Sequence, residues 1–206
     1  HAIDLGLPGP YPIAQRSVTV TRASGSSFTA QIYYPGTSAG SAKPFNPAAA
    51  PAPAISFGHG FLQTVSRYQS TLQHLASHGY IVIASESESS LFPSHANFAS
   101  DLSTSLTFLE QQSIAPASFL YGMVDSQRFG MSGHSMGGGA SLLAAAADPR
   151  VKTVAPEAPA ETTPSAVTAA GSLSVPMMIV AGDADSIVPR SEEHTSELQS
   201  QFRSRM

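Results

Sequence analysis

Two hydrophobic periods share the chain. Near the N-terminus, Ser17-Val-Thr-Val-Thr21 and Phe28-Thr-Ala-Gln-Ile-Tyr-Tyr34 alternate polar and apolar positions. Ala23-Ser-Gly-Ser-Ser27 lies between them, so the pair predicts an antiparallel hairpin. Pro35 to Pro53 is dense in Pro, Ala, Gly and Ser and reads as a surface loop. Ala54-Ile-Ser-Phe57 predicts a short buried strand ending in Gly58-His59-Gly60. A helical pattern then places Val65, Tyr68, Leu72, Leu75 and Ala76 on one face and stops at Gly79.

Further strands are predicted at Tyr80–Ala84, Arg128–Met131, Val151–Ala155 and Met177–Ala181. Phe98, Leu102, Leu106 and Leu109 mark one intervening helix, and Met136–Ala147 a second, built of small residues and stopped by Asp148-Pro149. Strands alternating with helices imply an α/β fold, with a mostly parallel sheet covered on both faces. Reactive groups in such sheets gather at the carboxyl ends of the strands. No internal repeat is visible.

Composition narrows the class. A length of 206 residues suits one domain with a sizeable core. Charged residues make up 12% and hydrophobic ones 42%, which excludes a charge-rich disordered chain. The net charge of −4 offers no basic footprint for nucleic acid. No apolar run is long enough to span a bilayer. With no cysteine there is no disulfide framework, thiolate nucleophile or Cys-type zinc site, and neither metal nor cofactor is called for. His1 is not an initiator methionine, which points to a removed upstream segment such as a signal peptide. A soluble monomer is expected.

Gly133-His134-Ser135-Met136-Gly137 is the strongest chemical signal. It is the Gly-x-Ser-x-Gly nucleophile elbow, following a predicted strand and opening a predicted helix. The serine must occupy a strained turn so that its hydroxyl projects above the sheet, and the flanking glycines let strand and helix approach. A glycine-rich turn with an incidental serine is the bland alternative, and the strand–turn–helix context argues against it. Attack on an ester also needs two N–H donors for the developing oxyanion. One is the amide of Met136. The other is expected from Gly58-His-Gly-Phe61, at Phe61, or at Leu62 if the loop turns one residue later. His59 reads as loop-shaping, and His134 sits beside the nucleophile.

The group that orients the base should follow the serine in chain order. Met177-Met-Ile-Val-Ala-Gly-Asp-Ala-Asp185 delivers two acids after a late strand; Asp185 is the choice, with Asp183 as a turn former. The base is harder to place. Of seven histidines only His194 follows Asp185, by nine residues, too few for an intervening helix and strand. His74 and His78 read as polar positions on a helix.

His194 also lies in a stretch unlike the rest. Arg190-Ser-Glu-Glu-His-Thr-Ser-Glu-Leu-Gln-Ser200 reads as a common DNA-sequencing adaptor in translation, and Ser204-Arg-Met206 fits a later part of it. A native charged helix capped by Ser191, with Glu193 and Glu197 one turn apart, is the alternative; an eleven-residue match outweighs it. The expected organisation is one domain over 1–189 and a non-native tail over 190–206. The C-terminal strand, helix and catalytic histidine are expected beyond Pro189, and the chain as written is expected to be impaired.

Several stretches together carry a family resemblance: Ala76-Ser-His-Gly-Tyr-Ile-Val-Ile83, Asp125-Ser-Gln-Arg128, Gly133-His-Ser-Met-Gly-Gly-Gly139, Ala155-Pro-Glu-Ala-Pro159 and Asp185-Ser-Ile-Val-Pro189. Phe28 to Pro189 resembles the α/β-hydrolase superfamily, in its lidless branch of cutinases, polyester hydrolases and chlorophyllases. The resemblance implies a secreted carboxylic-ester hydrolase without metal or organic cofactor. It implies Ser135 as nucleophile, Asp185 as triad acid, and the amides of Phe61 and Met136 as oxyanion hole. Short- to medium-chain esters, lipids or polyesters are the implied substrates, met in a cleft that includes His134 and Phe92. Chlorophyllase, thioesterase or peptidase chemistry would use the same apparatus, and a non-catalytic module binding hydrophobic ligands would keep the cleft. The polyester hydrolases it resembles usually carry a tryptophan after the Ala-Pro segment; Ala160 stands there, and the chain has no tryptophan.

Overall fold

A computed structural model describes residues 4–182. Asp183, Asp185, His194 and the tail over 190–206 lie outside the described residues. The strands are β1 (Ile13–Thr21), β2 (Ser27–Pro35), a two-residue β3 (Gly40–Ser41), β4 (Ala52–Gly58), β5 (Ile81–Ser85), β6 (Val124–His134) and β7 (Val151–Glu157). The helices are α1 (Gln69–Ser77), α2 (His95–Ile114), α3 (Met136–Ala147) and α4 (Ala166–Ser172). One sheet runs in the order β3-β1-β2-β5-β4-β6-β7. β1 and β2 form the expected antiparallel hairpin, in register from Ile13↔Pro35 to Thr21↔Ser27. β5, β4, β6 and β7 are mutually parallel, which gives the α/β-hydrolase fold.

The strands read as near-continuous apolar runs because both faces are covered. Ile81 to Ala84 are all fully buried. Ile81 and Ile83 face the larger core with Phe98, Leu102, Leu106 and Leu109 of α2. Val82 and Ala84 face the smaller core with Phe57, Val65, Leu72 and Ala76 beside α1. The period-2 alternation of β5 thus feeds two cores. Arg22 closes the larger one, its guanidinium pairing with both carboxylate oxygens of the buried Asp101 at 2.7 Å.

Three expectations need correction. The first turn of the helical pattern after Gly60 is 3-10, Val65–Tyr68, so Tyr68 caps α1 rather than lying within it. The segment 35–53 is more structured than a plain loop, holding β3, a 3-10 turn at Pro47–Ala49 and a Gly36↔Phe45 bridge. Met177–Ala181 is not a continuous strand. It pairs with β7 through two parallel bridges in one register, Val154↔Met177 and Glu157↔Val180. Pro156 stands between them and has no N–H, so the ladder loses the rung that would join the bridges. α4 had no clear apolar period to announce it; Ser165 caps it, accepting from the Thr168 N–H at 3.1 Å.

Register places four strand ends on one edge. Gly58 sits opposite Ser85 and Gly133, and His134 opposite Glu157.

Candidate active site

Ser135 is the single residue between β6 and α3, at φ 53° and ψ −117°. This left-handed backbone is rare for a residue with a side chain and costs about 1–3 kcal/mol, so the surroundings must impose it. Three hydrogen bonds do so. The Ser135 N–H donates to the Glu157 carbonyl at 3.0 Å, and its carbonyl accepts from the N–H groups of Gly139 and Ala160, both at 3.0 Å. Close packing does the rest. A Cβ on Gly133 would collide with Gly137, and one on Gly137 with the carbonyls of Gly58 and His59. Three glycines from β4, β6 and α3 therefore meet backbone to backbone. Met136 opens α3, where an N–H has no acceptor within the helix.

The loop after β4 lies beside this turn. His59 is buried, its ring nitrogens 2.8 Å from the carbonyl oxygens of Gly60 and Ser87, and its ring packs 4.8 Å from Phe98. It holds the β4 loop to the β5 loop. Phe61 is 46% exposed, and Leu62 takes a positive φ of 54°. The Gly60 N–H donates to the Tyr68 hydroxyl at 2.9 Å, and that hydroxyl lies 2.9 Å from His134 Nδ1. Burial pushes the Tyr68 hydroxyl above its ordinary pKa, and the Glu157 charge adds to the rise, against the Gly60 hydrogen bond.

The family model for PET hydrolase-like proteins, the PETase family, matches residues 6–204. The chain belongs to the PET hydrolase-like family. It is 31% identical over 188 residues to a bis(hydroxyethyl) terephthalate hydrolase of Streptomyces coelicolor, covering 89% of this chain and 53% of that protein. It is 27% identical over 181 residues to a cutinase of Thermobifida fusca, covering 88% and 54%. Cutinase est1 of Thermobifida alba is 29% identical over 136 residues, covering 66% and 43%. The chain spans about half the length of the relatives it matches.

In this PET hydrolase-like chain the structure brings Ser135, Met136, His134 and the Phe61 loop to one edge of the sheet. Ala160 is there too, hydrogen-bonded to Ser135. Phe92 follows β5 and is 92% exposed. Asp185, the expected triad acid, falls outside the described residues.

Each described histidine is engaged elsewhere. His74 and His78 place Nε2 at 2.8 and 3.0 Å from the carbonyls of Leu5 and Leu7. The Thr163 N–H donates to His95 Nδ1 at 3.1 Å, while His59 and His134 are bonded as above. Among the described residues none hydrogen-bonds to Ser135 Oγ. Among the described residues no group of three or more metal-binding side chains is placed for an ion, and no helix there is long and apolar enough to cross a membrane.

Tyr68 is the residue that sequence reasoning misplaced. Its apolar-face spacing hid the hydroxyl's role, and nothing local signalled a partner 66 positions away.

Proposed function

We propose that this protein is a secreted serine carboxylic-ester hydrolase of cutinase type, acting through an acyl-enzyme. The observation that carries the reading is Ser135 at a strained φ of 53° between a strand and a helix, at the carboxyl edge of the parallel strands. A base removes the Ser135 proton, and the alkoxide attacks the ester carbonyl. The amides of Phe61 and Met136 receive the oxyanion, the alcohol leaves with the proton, and water then releases the acid. Asp185 orients the base, and the base is a histidine encoded beyond Pro189. In this reading residues 1–189 carry the domain, and a chain without the triad histidine is impaired, since loss of that histidine costs on the order of a millionfold in turnover.

The substrates are short- to medium-chain esters, lipids or polyesters. Support comes from the family membership and from relatives named as cutinases and a bis(hydroxyethyl) terephthalate hydrolase. Ala160 beside Ser135 supports aliphatic over aromatic acyl groups, because it offers no ring to stack on.

Hydrolysis of p-nitrophenyl butyrate, beside a Ser135→Ala control with both folded by circular dichroism, tests the reading. Hydrolysis that the control abolishes supports the esterase and shows that a base lies within the chain. A folded but inert 206-residue chain supports the impaired form, provided a version carrying the continuing native sequence hydrolyses the ester. Failure of that longer version, with no labelling of Ser135 by an organophosphate, sinks the esterase and leaves a ligand-binding module.

A further inference from the structure

We propose that Tyr68 is a positioning residue for the oxyanion hole, its hydroxyl fixing the loop after β4 against the nucleophile elbow. The inference rests on the reading of Ser135 as nucleophile and of Phe61 and Met136 as oxyanion donors.

The hydroxyl sits between two peptide segments that have no covalent link nearby. On one side it accepts the Gly60 N–H at 2.9 Å, one residue before Phe61. On the other it lies 2.9 Å from His134 Nδ1, one residue before Ser135 and two before Met136. The phenol oxygen accepts the Gly60 N–H, and we assign its one proton to His134 Nδ1, the other arrangement being a ring N–H that donates to the same oxygen. Nδ1 is then bare, and the ring proton of His134 resides on Nε2.

Packing makes this contact hard to move. A Cβ built on Gly60 would stand 2.9 Å from the Tyr68 hydroxyl and 3.1 Å from His134 Nδ1, so loop, phenol and imidazole are already in contact. The Tyr68 ring is anchored from below by Phe57, with centroids 5.1 Å apart, and flanks His134 at 5.6 Å. Phe57 is fully buried in the core beside α1. The phenol is therefore a strut standing on that core, with its tip between Gly60 and His134, the neighbours of Phe61 and Ser135.

This matters because oxyanion stabilisation depends on distance. Donors must lie about 2.7–3.1 Å from the developing oxyanion, and a misplacement of about 1 Å costs on the order of 100-fold. Losing the strut lets the Phe61 amide drift relative to Met136 without removing either donor.

The test is Tyr68→Phe, which removes one oxygen and keeps the ring on Phe57. In whichever form of the protein hydrolyses p-nitrophenyl butyrate, kcat is expected to fall about 10- to 100-fold while KM stays within about twofold. A merely structural tyrosine would lower the melting temperature and leave kcat per folded molecule unchanged, and that result overturns the proposal. A second measurement is independent of turnover. The ¹⁵N shifts of His134 should show a bare Nδ1 and a protonated Nε2 in the parent chain, and amide exchange at Gly60 should speed up about 10-fold or more in Tyr68→Phe. Unchanged exchange overturns the strut, and a protonated Nδ1 overturns the assigned direction of its bond to His134. If no form shows Ser135-dependent hydrolysis, the esterase reading fails separately, and the exchange rates still decide whether the hydroxyl holds the loop. If Tyr68→Phe does not fold, protection of the Gly60 amide in the parent chain decides it, and an unprotected amide overturns the strut.

Discussion

Gly58 and Gly137 touch backbone to backbone where β4 passes the first turn of α3: a Cβ on Gly58 would stand 2.9 Å from the Gly137 Cα. The obstacle on either side is main chain, which cannot rotate away as a side chain would. Gly137→Ala is expected to cost about 1–3 kcal/mol by overpacking and to push Met136 away from the β4 loop. Thermal melting measures the first effect, and the rate at which an organophosphate labels Ser135 the second. A melting temperature equal to the parent's would show that the contact has slack.

The backbone of Ser135 makes a second prediction, about strain. Ser135→Ala and Ser135→Gly both delete the hydroxyl, but only glycine is at ease at a φ of 53°. The glycine variant should be more stable than the alanine variant by about 1 kcal/mol, with both lacking ester hydrolysis. Paired denaturation curves suffice; equal stabilities would mean the turn stores no strain.

Arg22 and Asp101 tie the end of β1 to α2 by a two-pronged ion pair. The Asp101 side chain is 1% exposed, and the guanidinium lies 4.9 Å above the Phe28 ring. Arg22→Met strands a buried carboxylate and should cost about 3–5 kcal/mol. Adding Asp101→Asn to that variant should recover part of the loss, since the stranded charge is the main penalty. A double variant no more stable than the single one would argue against that account.

Asp148 predicts a pH dependence. Burial pushes its carboxyl up, but hydrogen bonds from the Arg150 guanidinium and N–H outweigh this and hold it below the ordinary value. A carboxyl lowered in the folded state contributes stability that is fully present above its unfolded pKa, about 3.9, and lost as pH falls through the lower folded value. The parent's melting temperature should therefore drop as the solution is acidified below about pH 4. Asp148→Asn should be less stable at pH 7 by about 1–3 kcal/mol and show a shallower acid decline. Parallel acid profiles for the two proteins would remove Asp148 as a cause.

The hairpin, the run of buried strands, the apolar stripe of α2 and the limits of α3 were all legible from the residues alone. Those signals are local: period-2 alternation, four-residue spacing, and the stop at Asp148-Pro149. The elbow was legible too, because a strand, a Gly-x-Ser-x-Gly turn and a small-residue helix occur in unbroken order. How the elbow is held became visible in the folded chain. The Ser135 backbone depends on Glu157 and Ala160 from another strand and its loop, and the Tyr68 hydroxyl bridges Gly60 to His134 across the sheet edge. Likewise, the break at Met177–Ala181 comes from Pro156 in the neighbouring strand, not from the segment's own residues. Hydrophobic period is written within each segment, whereas a hydrogen-bond partner or a missing rung belongs to whichever segment the fold brings alongside.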